Sequence, residues 1–156
     1  MQQFFIANGD FIIKLVLAMF FGMVIGAERT LVHKEAGMKT HALVSMGAAL
    51  FIIVSEHLAV KYAGLVGFNP ALMASNIIVG IGFLGAGSII LQNSRLMGLT
   101  TAGGLWITAG IGMATGFGLF SLASIATFLV LLIFIFLNIV EKPLQKISNY
   151  IDKPEN

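Results

Sequence analysis

From Pro70 to Leu91 the chain runs for about twenty residues without a formal charge, enough helix to cross a bilayer at roughly 1.5 Å per residue. In lipid backbone N–H and C=O groups must be paired within the protein, and a run of this length reads as a membrane helix. A polar break, Gln92-Asn93-Ser94-Arg95, follows it. A second apolar run then starts at Leu99 and reaches Gly116, so that the two read as a helical hairpin. The rest of the chain has the same character. With 58% hydrophobic and 10% charged residues and a mean hydropathy of +0.96, its 156 residues lie far outside the soluble globular range. The expected fold is an all-α polytopic membrane protein. No cysteine is present, which excludes disulfides, thiol catalysis and Cys-ligated metals.

Gly80-x-Gly82-x-x-Gly85 spells a dinucleotide fingerprint, but no strand precedes it and no acidic residue follows about twenty positions on. A nucleotide site is therefore not expected. Membrane helices gain nothing by hiding apolar surface from apolar tails and associate instead through close backbone approach, which small residues permit. Gly80, Gly82, Gly85 and Gly87 are expected to be helix-packing positions. So are Gly22 and Gly26, in line with Ala18, and Gly104 and Gly112 on the stripe Thr100, Gly104, Thr108, Gly112, Gly116.

Five spans are expected, near 6–27, 42–59, 70–91, 99–116 and 119–140, in a membrane domain over 1–141. The fourth is either a full span in a tight hairpin with the fifth or a partly re-entrant element. The first is not a secretory signal, because no basic residue precedes it and Asp10 and Lys14 stand where an uncharged core belongs. These two lie four apart and can pair along one face. With the N-terminus outside, Arg29, Lys34, Lys39, Arg95, Lys142, Lys146 and Lys153 lie inside, while Lys14 and Lys61 lie outside. That asymmetry predicts an N-out, C-in topology. Pro143 is expected to end the fifth helix and open a short amphipathic cytoplasmic tail, 142–156, with Leu144, Ile147 and Ile151 on one side.

Chemistry has to be sought among polar groups in or near the bilayer, where burying them is costly. Asn76 stands one turn before Gly80. Thr100 and Thr101 open the fourth span, where hydroxyls cap free N–H groups or meet an anion at the positive dipole end. Glu28 and Arg29 close the first span and Lys39-Thr40-His41 opens the second. A bundle-facing Glu28 should pair with Arg29, Lys39 or Arg95. The candidate ligand or coupling residues are thus Glu28, Arg29, Lys39, Thr40, Asn76, Arg95, Thr100 and Thr101. His33, His41 and His57 lack metal-ligand spacing, and no nucleophile, base and orienting acid occur together. Neither a metal, a cofactor nor catalysis is expected. Nucleic acid is excluded as a partner too, since the basic residues flank spans instead of forming a patch.

The blocks Gly26-Ala27-Glu28-Arg29, Ala36-Gly37-Met38-Lys39-Thr40-His41-Ala42-Leu43-Val44 with Gly47-Ala48-Ala49-Leu50-Phe51, Gly80 to Gly87, and Gly98-Leu99-Thr100-Thr101-Ala102 with Leu105-Trp106 resemble the MgtC/SapB family of bacterial inner-membrane proteins. The resemblance covers Gly26 to Trp106, in order and spacing. It implies a multi-span membrane domain without enzymatic activity, associated in various members with growth at low magnesium, virulence, restraint of the F-type ATP synthase, or acid resistance. Lys39 stands where members usually carry arginine, and lysine cannot form a bidentate fork to a carboxylate. Phe68-Asn69-Pro70 and Leu72 replace a typical acid and arginine, and Asn76 replaces a glutamine. Longer members append a soluble C-terminal domain; this chain is read as the membrane core.

Two functions remain open on this reading. One is a regulatory or interaction subunit that docks on another membrane protein or a second copy of itself through its small-residue faces. The other is a unit for transport or sensing of a small ion or solute, in which Glu28, Asn76, Thr100 and Thr101 line a site between the spans. The direction in which these polar groups face separates the two.

Overall fold

In the computed structural model the backbone is described for residues 2–63, 69–92 and 94–151, and side chains for 8–63, 69, 71–92 and 94–140. Five helices form: α1 (Gln2–Leu31), α2 (Met38–Lys61), α3 (Pro70–Gly87), α4 (Leu99–Gly116) and α5 (Phe120–Ile151). The segments Asn8–Leu31, Met38–Lys61 and Phe120–Val140 are long and apolar enough to cross a membrane, whereas the apolar part of α3, Ala71–Gly87, is shorter.

Local chemistry sets the helix ends. Asn69 caps α3 by accepting the Ala71 N–H at 2.9 Å, with Pro70 in the first turn, where its missing N–H costs nothing. The α1–α2 turn is clamped by Thr30, whose hydroxyl donates to the Gly26 carbonyl (2.9 Å) and accepts from the Met38 N–H (3.2 Å). Between α3 and α4 the chain forms a two-stranded antiparallel hairpin, β1 (Ile90–Gln92) with β2 (Arg95–Met97), in the register Ile90↔Met97 and Gln92↔Arg95. This corrects two expectations at once: the third helix stops at Gly87, not Leu91, and the polar break is the tip of a small sheet. The hairpin returns to α4 through Gly98 at φ +87°, where any Cβ would strike the Ser88 carbonyl.

The fifth helix also differs from expectation. Its backbone continues through Pro143 to Ile151, so proline does not end it. A proline inside a helix removes one i→i−4 donor. The tail side chains lie outside the described residues.

α4 is the hub, packing on α1, α2, α3 and α5. Its Leu105, Ala109 and Ile111 are at most 4% exposed. α2 lies between α1 and α4, and its backbone at three successive i+4 positions is met by glycine. The His41 carbonyl faces Gly22, the Ser45 carbonyl faces Gly112, and Ala49 faces Gly116. Gly26 rests in the same way on Gly37 and Met38, while Gly104 touches the Phe134 ring and Gly85 touches Ala102. At Gly80, Gly82 and Gly87 of α3 no other described part of the chain lies within 4 Å of where their Cβ atoms would be, so the packing expected of them is not made among the described residues. At the far end of the bundle Lys14, mostly buried, pairs with Asp10 (3.2 Å) and with Glu56 (3.6 Å), joining α1 to the end of α2.

The contrast between seams and open faces predicts opposite responses. Gly112→Leu should lower stability in detergent by about 1–3 kcal/mol or more, because it forces α4 off α2, while Gly82→Leu should leave it unchanged. Thermal unfolding of the two purified variants checks this, and equal losses would contradict it.

Candidate functional site

The most polar buried part of the bundle lies where α1 ends, beside the starts of α2 and α4 and the later turns of α5. Glu28 and Arg29 sit inside the last turns of α1 and are 8% and 2% exposed. Arg29 Nε donates to Glu28 Oε2, and the other carboxylate oxygen, Oε1, accepts from Asn138 Nδ2 at 3.3 Å. The guanidinium carbon of Arg29 stands 3.5 Å over the centroid of Phe134, one turn before Asn138 on α5. The geometry therefore fastens α1 to α5 by a charge pair, an amide bond and a cation–π stack. Each carboxylate oxygen of Glu28 already has a donor.

His41, fully buried at the start of α2, bonds the Gly37 carbonyl through Nδ1 at 3.1 Å. With that nitrogen donating, Nε2 carries a lone pair, and it has no partner among the described residues. It faces Gly104, whose absent side chain leaves the space beside it: a Cβ there would lie 3.5 Å from Nε2.

The sequence candidates do not gather into one site. Glu28 and Arg29 pair with each other, whereas Lys39 and Arg95 are exposed and make no ion pair among the described residues. Asn76 is exposed on α3 and edges an apolar groove of about 490 Å³ between α2 and α3. Thr100 is exposed and lines a different cleft, between α4 and α5. Thr101 is buried and, with exposed Thr40, lines a third cavity, beside Glu35 and Ser88. The expectation that Glu28, Asn76, Thr100 and Thr101 share a site between the spans is corrected accordingly. The hydroxyls of Thr108 and Thr115 are taken up by their own helix, donating to Gly104 and Ile111 carbonyls at 2.8 Å.

Asn138 and Phe134 were not among the sequence candidates. Asn138 had a usable signal, a lone amide in an apolar span like Asn76, but Phe134 is one of 13 phenylalanines and had none.

The MgtC family model matches residues 15–143. Among curated proteins the chain is 44% identical over 132 residues to "Putative magnesium transporter YhiD" of Escherichia coli (strain K12), covering 81% of this chain and 61% of that protein. It is 42% identical over 121 residues to "Protein MgtC" of Salmonella typhimurium (strain LT2), covering 78% of this chain and 49% of that one. An uncharacterized protein of Haemophilus influenzae is 43% identical over 122 residues, covering 76% and 51%. The chain thus spans about half to three fifths of the length of these relatives. No solved structure matches.

The pairing at Glu28 predicts a specific stability pattern. Glu28→Gln leaves the Arg29 guanidinium buried without its counter-charge and should cost about 3–5 kcal/mol, whereas adding Arg29→Met should restore most of it. Asn138→Leu should cost less, about 1–3 kcal/mol, because one carboxylate oxygen loses a donor. Chemical denaturation of the single and double variants in detergent measures the coupling, and additive losses would show that the pair is not an energetic unit.

Proposed function

The chain belongs to the MgtC family, and on that premise we propose that it is a regulatory or interaction subunit of the bacterial inner membrane. Its contact surface in this reading is the groove between α2 and α3, which receives a transmembrane helix of another membrane protein. One observation carries the reading: Asn76, an amide in an apolar helix, stands exposed at the edge of a groove whose walls include Gly47 and Gly80, both with open space where a side chain would be. An amide facing hydrocarbon lacks partners, and a second helix can supply them while the glycines allow its backbone close approach. No catalytic task is part of this proposal. Magnesium limitation, acid stress or restraint of the ATP synthase are the settings proposed for its action, the first also suggested by the printed name of the Escherichia coli relative.

The competing reading is transport or sensing of a small ion or solute. It would need polar groups converging between the helices, but Glu28 is held by Arg29 and Asn138, and Asn76, Thr100 and Thr101 line separate spaces. Interaction is the better supported of the two.

Gly47→Leu and Gly80→Leu fill the groove from either wall and should abolish partner capture in mild-detergent pull-downs while leaving thermal stability unchanged. Mass measurement of the intact complex separates a foreign partner from a second copy of the chain. Capture unaffected by both substitutions would overturn the proposal, and so would magnesium uptake by the purified chain in vesicles.

Five spans with an N-out, C-in topology are part of the same proposal. In this cysteine-free chain, cysteines placed at His33 and Ser94 should be shielded from an impermeant thiol reagent outside intact cells, and one at Ala63 should react. Labelling of His33→Cys and Ser94→Cys with protection of Ala63→Cys would reverse the topology.

A further inference from the structure

A cavity of about 360 Å³ opens where the α1–α2 turn, the end of α3 and the first turns of α2 and α4 meet. Its polar lining divides by hydrogen-bonding sense. Thr101, only 3% exposed, has no hydrogen-bond partner among the described residues, and the hydroxyl of Thr40 has none there either, so both can donate. Both residues lie in first helical turns, of α4, whose N-cap Gly98 makes no side-chain capping bond, and of α2, where the Met38 N–H is taken up by the Thr30 hydroxyl. The first turns of two helices, at their positive dipole ends, thus border the same space through Thr40 and Thr101. The opposite sense comes from Glu35, a carboxylate, and from Ser88, whose proton is committed to the Gly85 carbonyl at 2.7 Å so that only lone pairs remain. Leu84 and Leu105 supply apolar wall.

A cavity that combines hydroxyl donors at helix starts with acceptors, one of them a carboxylate, suits a ligand that carries an anion and a protonated amine a few bonds apart. The leucine wall, continuous with the exposed apolar surface of α3 at Phe83 and Leu84, suits acyl chains. We infer that this cavity binds a phospholipid with an aminoethyl phosphate headgroup, its phosphodiester at Thr40, Thr101 and the two helix starts and its ammonium at Glu35 and Ser88. A quaternary ammonium has no N–H to give Glu35, and an uncharged glycerol headgroup has no cation for it, so both other common headgroups fit less well.

The test uses the full chain, delipidated in mild detergent and titrated with phosphatidylethanolamine, phosphatidylcholine and phosphatidylglycerol of identical acyl chains, with occupancy read by native mass spectrometry. Phosphatidylethanolamine should bind on the order of tenfold more tightly than the other two. Thr101→Val should lower that affinity about tenfold without loss of thermal stability, since the hydroxyl has no structural partner to lose, and Thr101→Ser should retain it. Glu35→Lys should transfer the preference to phosphatidylglycerol. Equal occupancy by the three lipids would overturn the inference. Tight binding of water-soluble phosphoethanolamine with no lipid preference would overturn the lipid as its source, and destabilisation by Thr101→Val would show that the hydroxyl serves the fold instead.

Discussion

The architecture depends on backbone contact between α2 and its two neighbours. At His41, Ser45 and Ala49 the α2 chain is approached so closely by Gly22, Gly112 and Gly116 that no Cβ would fit without something shifting. In lipid this is where helix association has to come from, since side-chain burial there gives no advantage over acyl chains. The contact buries one face of α4, where Thr108 and Thr115 bond carbonyls of their own helix, so the centre of the bundle is built of small residues. It also sets the approach of α1 to α5, which places Glu28 and Arg29 within reach of Asn138 and Phe134. The charge pair is thus a consequence of the seam, and it locks the end of α1 that the seam brings into place.

α3 stands apart from this logic. It packs against α2 and α4 through Ile77 and Ile81, which join Ala48, Ile52 and Ala109 in one core cluster, and through Gly85 against Ala102, but much of its other surface is turned outward. Phe83 is 82% exposed and Val79 72%. Exposed apolar residues are ordinary on a lipid-facing helix; an exposed amide beside two open glycines is not. The difference between α3 and the inner helices is what moves the functional reading from a site within the bundle to a surface upon it.

Much of the fold was legible, because long uncharged runs in lipid favour helix, although the end of the Pro70–Leu91 run enters β1. Five helices arise near the expected apolar runs, but α3 ends at Gly87, α5 continues to Ile151, and α1 and α2 extend into the turn between them through Glu28 and Arg29 on one side and Met38 and Lys39 on the other. The hairpin around Ser94 was not legible; two strands of three residues leave no periodicity to read. Glycine stripes were half legible. A stripe announces that close approach is possible, and Gly112 and Gly80 look alike until the neighbour is known. The site was harder still: Glu28 with Arg29 was one of three pairings open, and Asn138 lay 110 residues away in sequence. Spatial convergence of Asn76, Thr100 and Thr101 was an inference from composition, and the helix rotations separate them.

A groove between α2 and α3 that receives a partner helix, as proposed, faces protein, while the outer face of α5 faces lipid. Site-specific photocrosslinking in living cells separates the two, with the photoreactive residue at Leu43 on the groove in one strain and at Ile133, half exposed on α5, in another. A discrete higher-mass protein adduct is expected from Leu43 and only lipid adducts from Ile133. Lipid adducts alone at both positions, or the same protein adduct at both, would contradict it.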